Sequence, residues 1–363
     1  MRTLGRILGD IDWLMIVPVM LLLLFSLSTL FSIDTGVFKS QLVFAIFSIA
    51  AFVLFTQINP NILSRFAIHI YASSIIILIL VLIIGVESHG ATRWIELFGI
   101  RFQFSEILKP FLAISLAGVL SQAKRYAFST FVATLGFLVP IILLIFLQPD
   151  LGNALIYIGV VFFTLLIFGF PLRYFVLSFI LWIATLPFFW FILHDYQRQR
   201  ILTFLDPSKD PLGRSYNSIQ AIIAVGSGEF FGRGLGQGTQ SILKFLPERH
   251  TDFIFATISE EFGFVGSTIL VLAFAALLYR IYLIYKEGED GFSQIFTIIV
   301  FFIIFTHFFI NVGMNVGLIP VVGVTLPFVS SGGSSLLSNF ILLGLLIAVS
   351  KRSKRRDMLE IGS

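Results

Sequence analysis

The chain has 363 residues, 57% of them hydrophobic and 12% charged, with a formal net charge of +4 and a mean hydropathy of +0.99. That apolar excess, with 43 Phe, exceeds what a water-soluble core can bury, and the alternating strands of about ten residues that build a membrane barrel do not occur, so the chain reads as membrane helices. A cysteine count of zero excludes disulfides, thiolate nucleophiles and Cys-ligated zinc.

In chain order, Arg2 and Arg6 precede a first apolar run without a small-residue cleavage site, which reads as a retained helix rather than a signal peptide. A spanning helix takes about 20 apolar residues. Hydropathy predicts ten, at about 12–32, 38–57, 62–85, 104–122, 129–147, 153–170, 172–193, 253–285, 293–318 and 334–350. The expected fold is a single all-α polytopic membrane domain over 1–363, with one long outer loop at about 194–252 between spans seven and eight. With the N-terminus inside, Arg2, Arg6, Arg65, Lys124, Arg125, Arg173, Arg280, Lys286 and the tail KRSKRR face the cytoplasm, more than half of the 24 basic residues. Both termini are then cytoplasmic. Basic side chains facing anionic lipid explain most of the pI near 9.3 without a nucleic-acid partner.

Several stretches interrupt the apolar pattern. In RFQFSEILKP, Glu106 and Lys109 lie three apart on one helical face, as an interfacial ion pair or as functional charges in a span. Asp150 of QPDLG suits a helix cap and equally the rim of an outward cavity. The long outer loop carries HDYQRQR, DPSKDPLGRSYN and the glycine-rich GSGEFFGRGLGQGTQS, too structured in character for a spacer. GRGLGQG lacks both the strand–turn–helix setting of a dinucleotide site and the Gly-Lys of a phosphate loop. In LPERHTDFIF, Asp252 and Thr251 are each capping candidates, whereas Glu260 and Glu261 lie two turns deeper and imply a polar interior. NVGMNVGLIPVVGVTLPFVSSGGSS breaks the last spans with Gly, Pro and hydroxyls, either shaping the fold or lining a polar cleft.

LPERHTDFIFATISEEFG, the Gln103–Lys109 pattern QxSExxK, QPDLG and GLIPVVGVTLPFVSSGGSS together resemble the SEDS family (shape, elongation, division and sporulation), in order over nearly the whole chain. GTQSxLxFLPERHTDF and DPxxDPLGxxYN resemble its elongation branch more than its division branch. Two positions depart: Ser331 stands where the family usually has Tyr, and Phe104 where it has Pro. The resemblance implies a peptidoglycan glycosyltransferase that polymerises lipid II outside a bacterial inner membrane. The implied partners are lipid II, the nascent glycan, a class B penicillin-binding protein, other elongation-complex membrane proteins and membrane lipid.

The resemblance also implies Asp252 as catalytic residue and Glu106 and Lys109 as charged cavity residues. Asp252 is expected to act as general base on a sugar 4-hydroxyl. The leaving pyrophosphate calls for cations, with Lys109, Arg101, Arg198, Arg200 and Arg249 as candidates and a divalent ion, Mg or Mn, as a further one. Gln103, Asp150, Ser334 and Ser335 complete the expected substrate-binding set. A lipid II flippase is the competing reading, drawing on broken helices and on Glu260 and Glu261. A scaffold for cell-wall enzymes is a third, and it would make the outer charges dispensable.

Overall fold

A computed structural model of the chain describes residues 12–361, apart from 89–90, 98, 124–126, 194–197, 200–201, 203, 205 and 207–214. The elements in order are α1 (Trp13–Ile33), α2 (Thr35–Phe55), α3 (Pro60–Arg65), α4 (Ala67–Ile84), β1 (Val86–Ser88), β2 (Ala91–Leu97), β3 (Ile100–Gln103), α5 (Phe104–Ile107), α6 (Lys109–Gln122), α7 (Phe128–Leu147) and α8 (Leu151–Ile167). They continue with α9 (Leu172–Ile192), α10 (Tyr216–Ser227), α11 (Thr239–Ile242), α12 (Ile254–Glu287), α13 (Gly291–Asn315) and α14 (Gly333–Ile361). Among the described residues, eight helical segments are long and apolar enough to cross a membrane, with α5 and α6 together forming one of them. Two shorter apolar helices, in α8 and α9, coincide with the sixth and seventh expected spans. The protein is a polytopic, predominantly helical membrane protein, as expected.

Several spans start on residues the sequence marks clearly. Asp34 caps α2, its carboxylate accepting from the amides of Gly36 (2.8 Å) and Val37 (3.1 Å). Those two amides, Val37 foremost, hold the Asp34 carboxyl below the usual carboxylate range. Asn59 with Pro60 opens α3, and Asp290 caps α13. Helix α13 lies at the centre: it packs on α12, α6 and α8, while α14 packs on α2 and α12 on α1. Aliphatic and aromatic side chains from all of these form one continuous core.

Two features differ from the helical expectation. Residues 86–103 form a three-stranded antiparallel sheet, β1-β2-β3, in which Trp94 pairs with Gln103 and Glu96 with Arg101. Gly99, with φ of 77°, sits in the turn between β2 and β3.

The second is in α12, which is not one straight helix. Gly263 inside it has φ 68° and ψ −162°, so two helices meet there across a kink. The chain at 229–234 repairs the break. Phe264 N donates to Glu229 O (2.9 Å) and Val265 N to Phe230 O (3.1 Å), while Arg233 N and Gly234 N donate to Glu260 O (2.9 Å) and Glu261 O (3.0 Å). Irregular backbone at this depth is tolerated because other backbone covers it. A Cβ on Gly263 would collide with the backbone of Gly232 and Phe230, which explains glycine at the kink.

Candidate functional site

A cavity of ≈ 530 Å³ opens where the sheet, the 149–153 turn, the segment before α12 and the irregular chain between α13 and α14 meet. The sheet contributes Arg93, Trp94, Arg101 and Gln103, and α5 contributes Glu106. Asp150 and Asn153 enter from the start of α8, and Glu248, Thr251 and Asp252 from the chain before α12. Gly323, Thr325 and Ser331 to Ser335 close the remaining side.

Asp252 stands at the mouth of α12 but does not cap it. The cap position is Phe253, and no side chain closes the helix there. Its backbone is gripped instead: the amides of Asn311 and Asn315 each donate to the Asp252 carbonyl at 3.0 Å. His307, Asn311 and Asn315 recur at four-residue spacing, so one face of α13 presents a polar row. Asn315 also accepts from Ala256 N (3.0 Å), and Asn311 donates to Val324 O (2.7 Å). The row therefore holds the start of α12 and the irregular segment in one register. Ser330 Oγ adds a bond to Thr251 O (2.6 Å), and Ser331 N one to His250 O (2.8 Å). Gly323 (φ 74°) lets the chain pass close to the carboxylate, since a Cβ there would lie 3.3 Å from Asp252 Oδ2. Next to it, burial holds the His250 imidazole below its ordinary value, and Arg249 pushes the same way against the opposing carboxylates Glu248 and Asp34.

Asp150 satisfies both of its expected roles. It caps α8 through Asn153 N (3.2 Å), and it lines the cavity. Its Oδ2 accepts from Gln103 Nε2 (2.8 Å), Asn153 Nδ2 (2.8 Å) and Ser105 Oγ (3.2 Å), and Arg93 lies 3.9 Å from its Oδ1. Gln103 N in turn donates to Ser334 Oγ (2.9 Å), joining β3 to α14. Ser335 Oγ bonds Thr325 Oγ1 at 2.9 Å. Arg101 lines the cavity while pairing with Glu96 across the hairpin at 3.3 Å.

The expected cations do not all reach the cavity. Lys109, 2% exposed, is not on its wall: its ammonium donates to Glu106 Oε1 (2.7 Å) and contacts His307 Nε2 (2.7 Å). Glu106 does line the cavity, so Lys109 acts on it from behind. Arg249 lies next to the wall residues Glu248 and Thr251 without lining the cavity, and Arg198 donates to Phe191 O (2.8 Å) away from it. Arg200 lies outside the described residues. Arg93, which was not among the sequence candidates, is on the wall. An arginine in an outer loop, followed by Trp-Ile-Glu-Leu and a Gly turn, is the hairpin signal that locates it. His307 was also overlooked, although a lone histidine in an apolar span is costly enough to call for a reason. Of the two departures from the family pattern, Ser331 lines the cavity and Phe104 packs against the core.

Glu260 and Glu261 face elsewhere. Glu260 accepts from Gln240 N (2.8 Å), Ser241 N (3.0 Å) and Ser241 Oγ (2.8 Å), pinning α11. Glu261 accepts from Gly236 N (2.9 Å) and Ser32 Oγ (2.5 Å). These acids hold the glycine-rich loop, which removes the polar path that a transporter reading drew from them. Among the described residues, no three His, Cys, Asp or Glu side chains come together as a metal cage.

The family model described as "Cell cycle protein", covering FtsW, RodA and SpoVE, matches residues 7–355. The chain is 36% identical over 350 residues to the peptidoglycan glycosyltransferase MrdB of Escherichia coli, covering 95% of this chain and 94% of that protein. Its fold is similar to a chain of a solved peptidoglycan synthase complex described as coordinating polymerization and crosslinking (TM-score 0.82, 28% identity, 94% of this chain and 98% of that one). It is likewise similar to the rod shape determining protein RodA of Thermus thermophilus (TM-score 0.71, 25% identity, 94% and 96%).

Proposed function

Because the chain belongs to the FtsW/RodA/SpoVE family of cell cycle proteins, it is a peptidoglycan glycosyltransferase of the elongation type, and we propose that it polymerises lipid II in this cavity with Asp252 as general base. One observation carries the catalytic assignment. Asp252 is the carboxylate that α12 does not use as a cap, on a backbone held by two asparagines, at the wall of the cavity that also receives Arg93 and Arg101.

The reaction that the resemblance implies can be fitted to the wall residues. The acceptor 4-hydroxyl gives its proton to Asp252 as its oxygen bonds the donor's anomeric carbon. The bond from that carbon to the pyrophosphate oxygen breaks, the electron pair leaves with undecaprenyl pyrophosphate, and the α-linkage inverts to β-1,4. Pyrophosphate leaves readily, so no second carboxylic acid is required, in contrast to hydrolysis of a glycoside. Arg93 and Arg101 face the developing charge from the sheet. Lys109 does not touch the substrate on this reading and serves to orient Glu106. Gln103, Ser334 and Ser335 shape another part of the wall.

Carboxylates on the described wall (Glu106, Asp150, Glu248 and Asp252) outnumber its guanidinium groups. A divalent cation therefore fits as a companion of the substrate's phosphates, held by one wall carboxylate, which is the usual way such an ion binds at phosphate sites. Removing divalent ions with a chelator is expected to slow polymer formation, and Mg or Mn to restore it. A rate unaffected by the chelator would leave charge balance to the arginines alone.

We place the cavity on the extracytoplasmic side of the inner membrane, from the distribution of basic residues, with a class B penicillin-binding protein as crosslinking partner. The test is polymerisation of labelled lipid II by the purified chain with that partner. Asp252→Asn is expected to lose about 10²–10⁴-fold in rate with an unchanged melting temperature. Polymer at the wild-type rate from the variant would remove Asp252 as the base.

A further inference from the structure

We infer that His307 is a positioning residue for the transfer reaction, fixing the Lys109–Glu106 pair on one side and the cavity wall at Thr325 on the other; this rests on the function proposed above. His307 is 1% exposed, in the C-terminal half of α13. Its Nδ1 lies 3.0 Å from the carbonyl oxygen of Thr325. A carbonyl has no proton to give, so Nδ1 carries the hydrogen and donates it. The neutral ring then has its lone pair on Nε2, 2.7 Å from the Lys109 ammonium, and accepts from it.

One contact ends on a wall residue, Thr325, and the other one residue behind the wall, on Lys109. Lys109 donates to Glu106 Oε1, and Glu106 lines the cavity. Thr325 lines the cavity itself and is bonded through its hydroxyl to Ser335. One imidazole thus ties α6 to the irregular segment that also carries Gly323, beside Asp252. A neutral acceptor suits the position. A second carboxylate would leave the ion pair with an excess negative charge, and an apolar side chain would leave a buried ammonium short of a partner. The ring sets the direction of the ammonium, and the ammonium sets how the Glu106 carboxylate faces the cavity. In the polar row of α13, Asn311 and Asn315 serve the Asp252 backbone, and His307 serves Thr325 and, through Lys109, Glu106.

The experiment compares lipid II polymerisation by wild type, His307→Leu, His307→Gln, Lys109→Met and the Leu/Met double variant, each melted in detergent as a folding control. Leu removes both contacts and is expected to lower kcat about 10²-fold, as small misplacements of a site can, with KM within about threefold. Gln offers one donor and one acceptor, as the ring does, and is expected to keep kcat within about tenfold of wild type. In the Lys109→Met background the Leu change is expected to cost clearly less than it does alone, because only the contact to Thr325 is left to lose. Should Leu not fold, His307→Asn takes its place, its amide being too short to span both contacts. Equal losses from Leu and Gln, or losses that multiply in the double variant, would overturn the inference. An active wild type with an unaffected His307→Leu sinks this inference alone. A wild type that makes no polymer sinks the function beneath it.

Discussion

Asp252 and the pair Glu260–Glu261 lie about two helical turns apart on one segment, and their surroundings give them opposite tasks. Glu260 and Glu261 accept from loop amides and hydroxyls at 2.5–3.0 Å, and their backbone carbonyls are taken by Arg233 and Gly234. At Asp252 the gripping groups reach the backbone carbonyl, and the residue's side stands on a ≈ 530 Å³ cavity. An acid that accepts from several donors elsewhere in the fold is structural, because moving it would leave those donors unpaired. An acid on a cavity wall whose main chain is held in place has the fixed position that proton transfer requires.

The contrast can be broken at either end. Glu260→Gln puts an NH₂ group against the amides of Gln240 and Ser241, and is expected to cost roughly 2–4 kcal/mol. A clearly lower melting temperature would show it, with transfer per folded molecule retained; a melt like wild type would deny the loop-holding role. Arg93→Ala is the next largest effect. It removes one of the two guanidinium groups on the wall among the described residues and is expected to cost about tenfold in kcat/KM with little change in melting, while Arg93→Lys recovers part of it. An unchanged kcat/KM would move the pyrophosphate away from the sheet.

The smallest effect comes from Asp34, which resembles Glu260 in accepting amides but is exposed. Its folded pKa is lowered, so the stability it adds is present above its unfolded value near 4 and is lost as pH falls through the lower folded value. Asp34→Asn is expected to make the melting temperature less dependent on pH between about 5 and 3. An identical slope in both chains would rule out the cap as its source.

Most of the membrane-spanning architecture was legible, because about 20 consecutive apolar residues can do little else. The start of α12 at Ile254 and of α14 at Gly333 fell within a residue of expectation. The sheet at 86–103 left only a short hairpin signal around Arg93 to Gly99, since its strands are short and depend on pairing that composition does not reveal. With the sheet went Arg93. The kink at Gly263 was hidden: its backbone partners come from residues 229–234, some thirty positions earlier, and only folding brings them together.

Among the site residues, Asp252, Glu106, Asp150, Gln103, Arg101, Ser334 and Ser335 do converge on one cavity. Lys109 was chosen for its charge, but it lies behind the wall because buried Glu106 and His307 claim it. Charge is readable from a sequence, whereas the groups that will occupy it are set by neighbours distant in the chain.

The most direct test measures Asp252→Asn and Glu260→Gln side by side, each for lipid II polymerisation per folded molecule and for melting in detergent. The account predicts a crossed result: Asp252→Asn keeps its melting temperature and loses turnover, and Glu260→Gln loses melting temperature and keeps turnover. Two variants that lose both properties together, or an Asp252→Asn protein that polymerises normally, would contradict the division of labour between these acids.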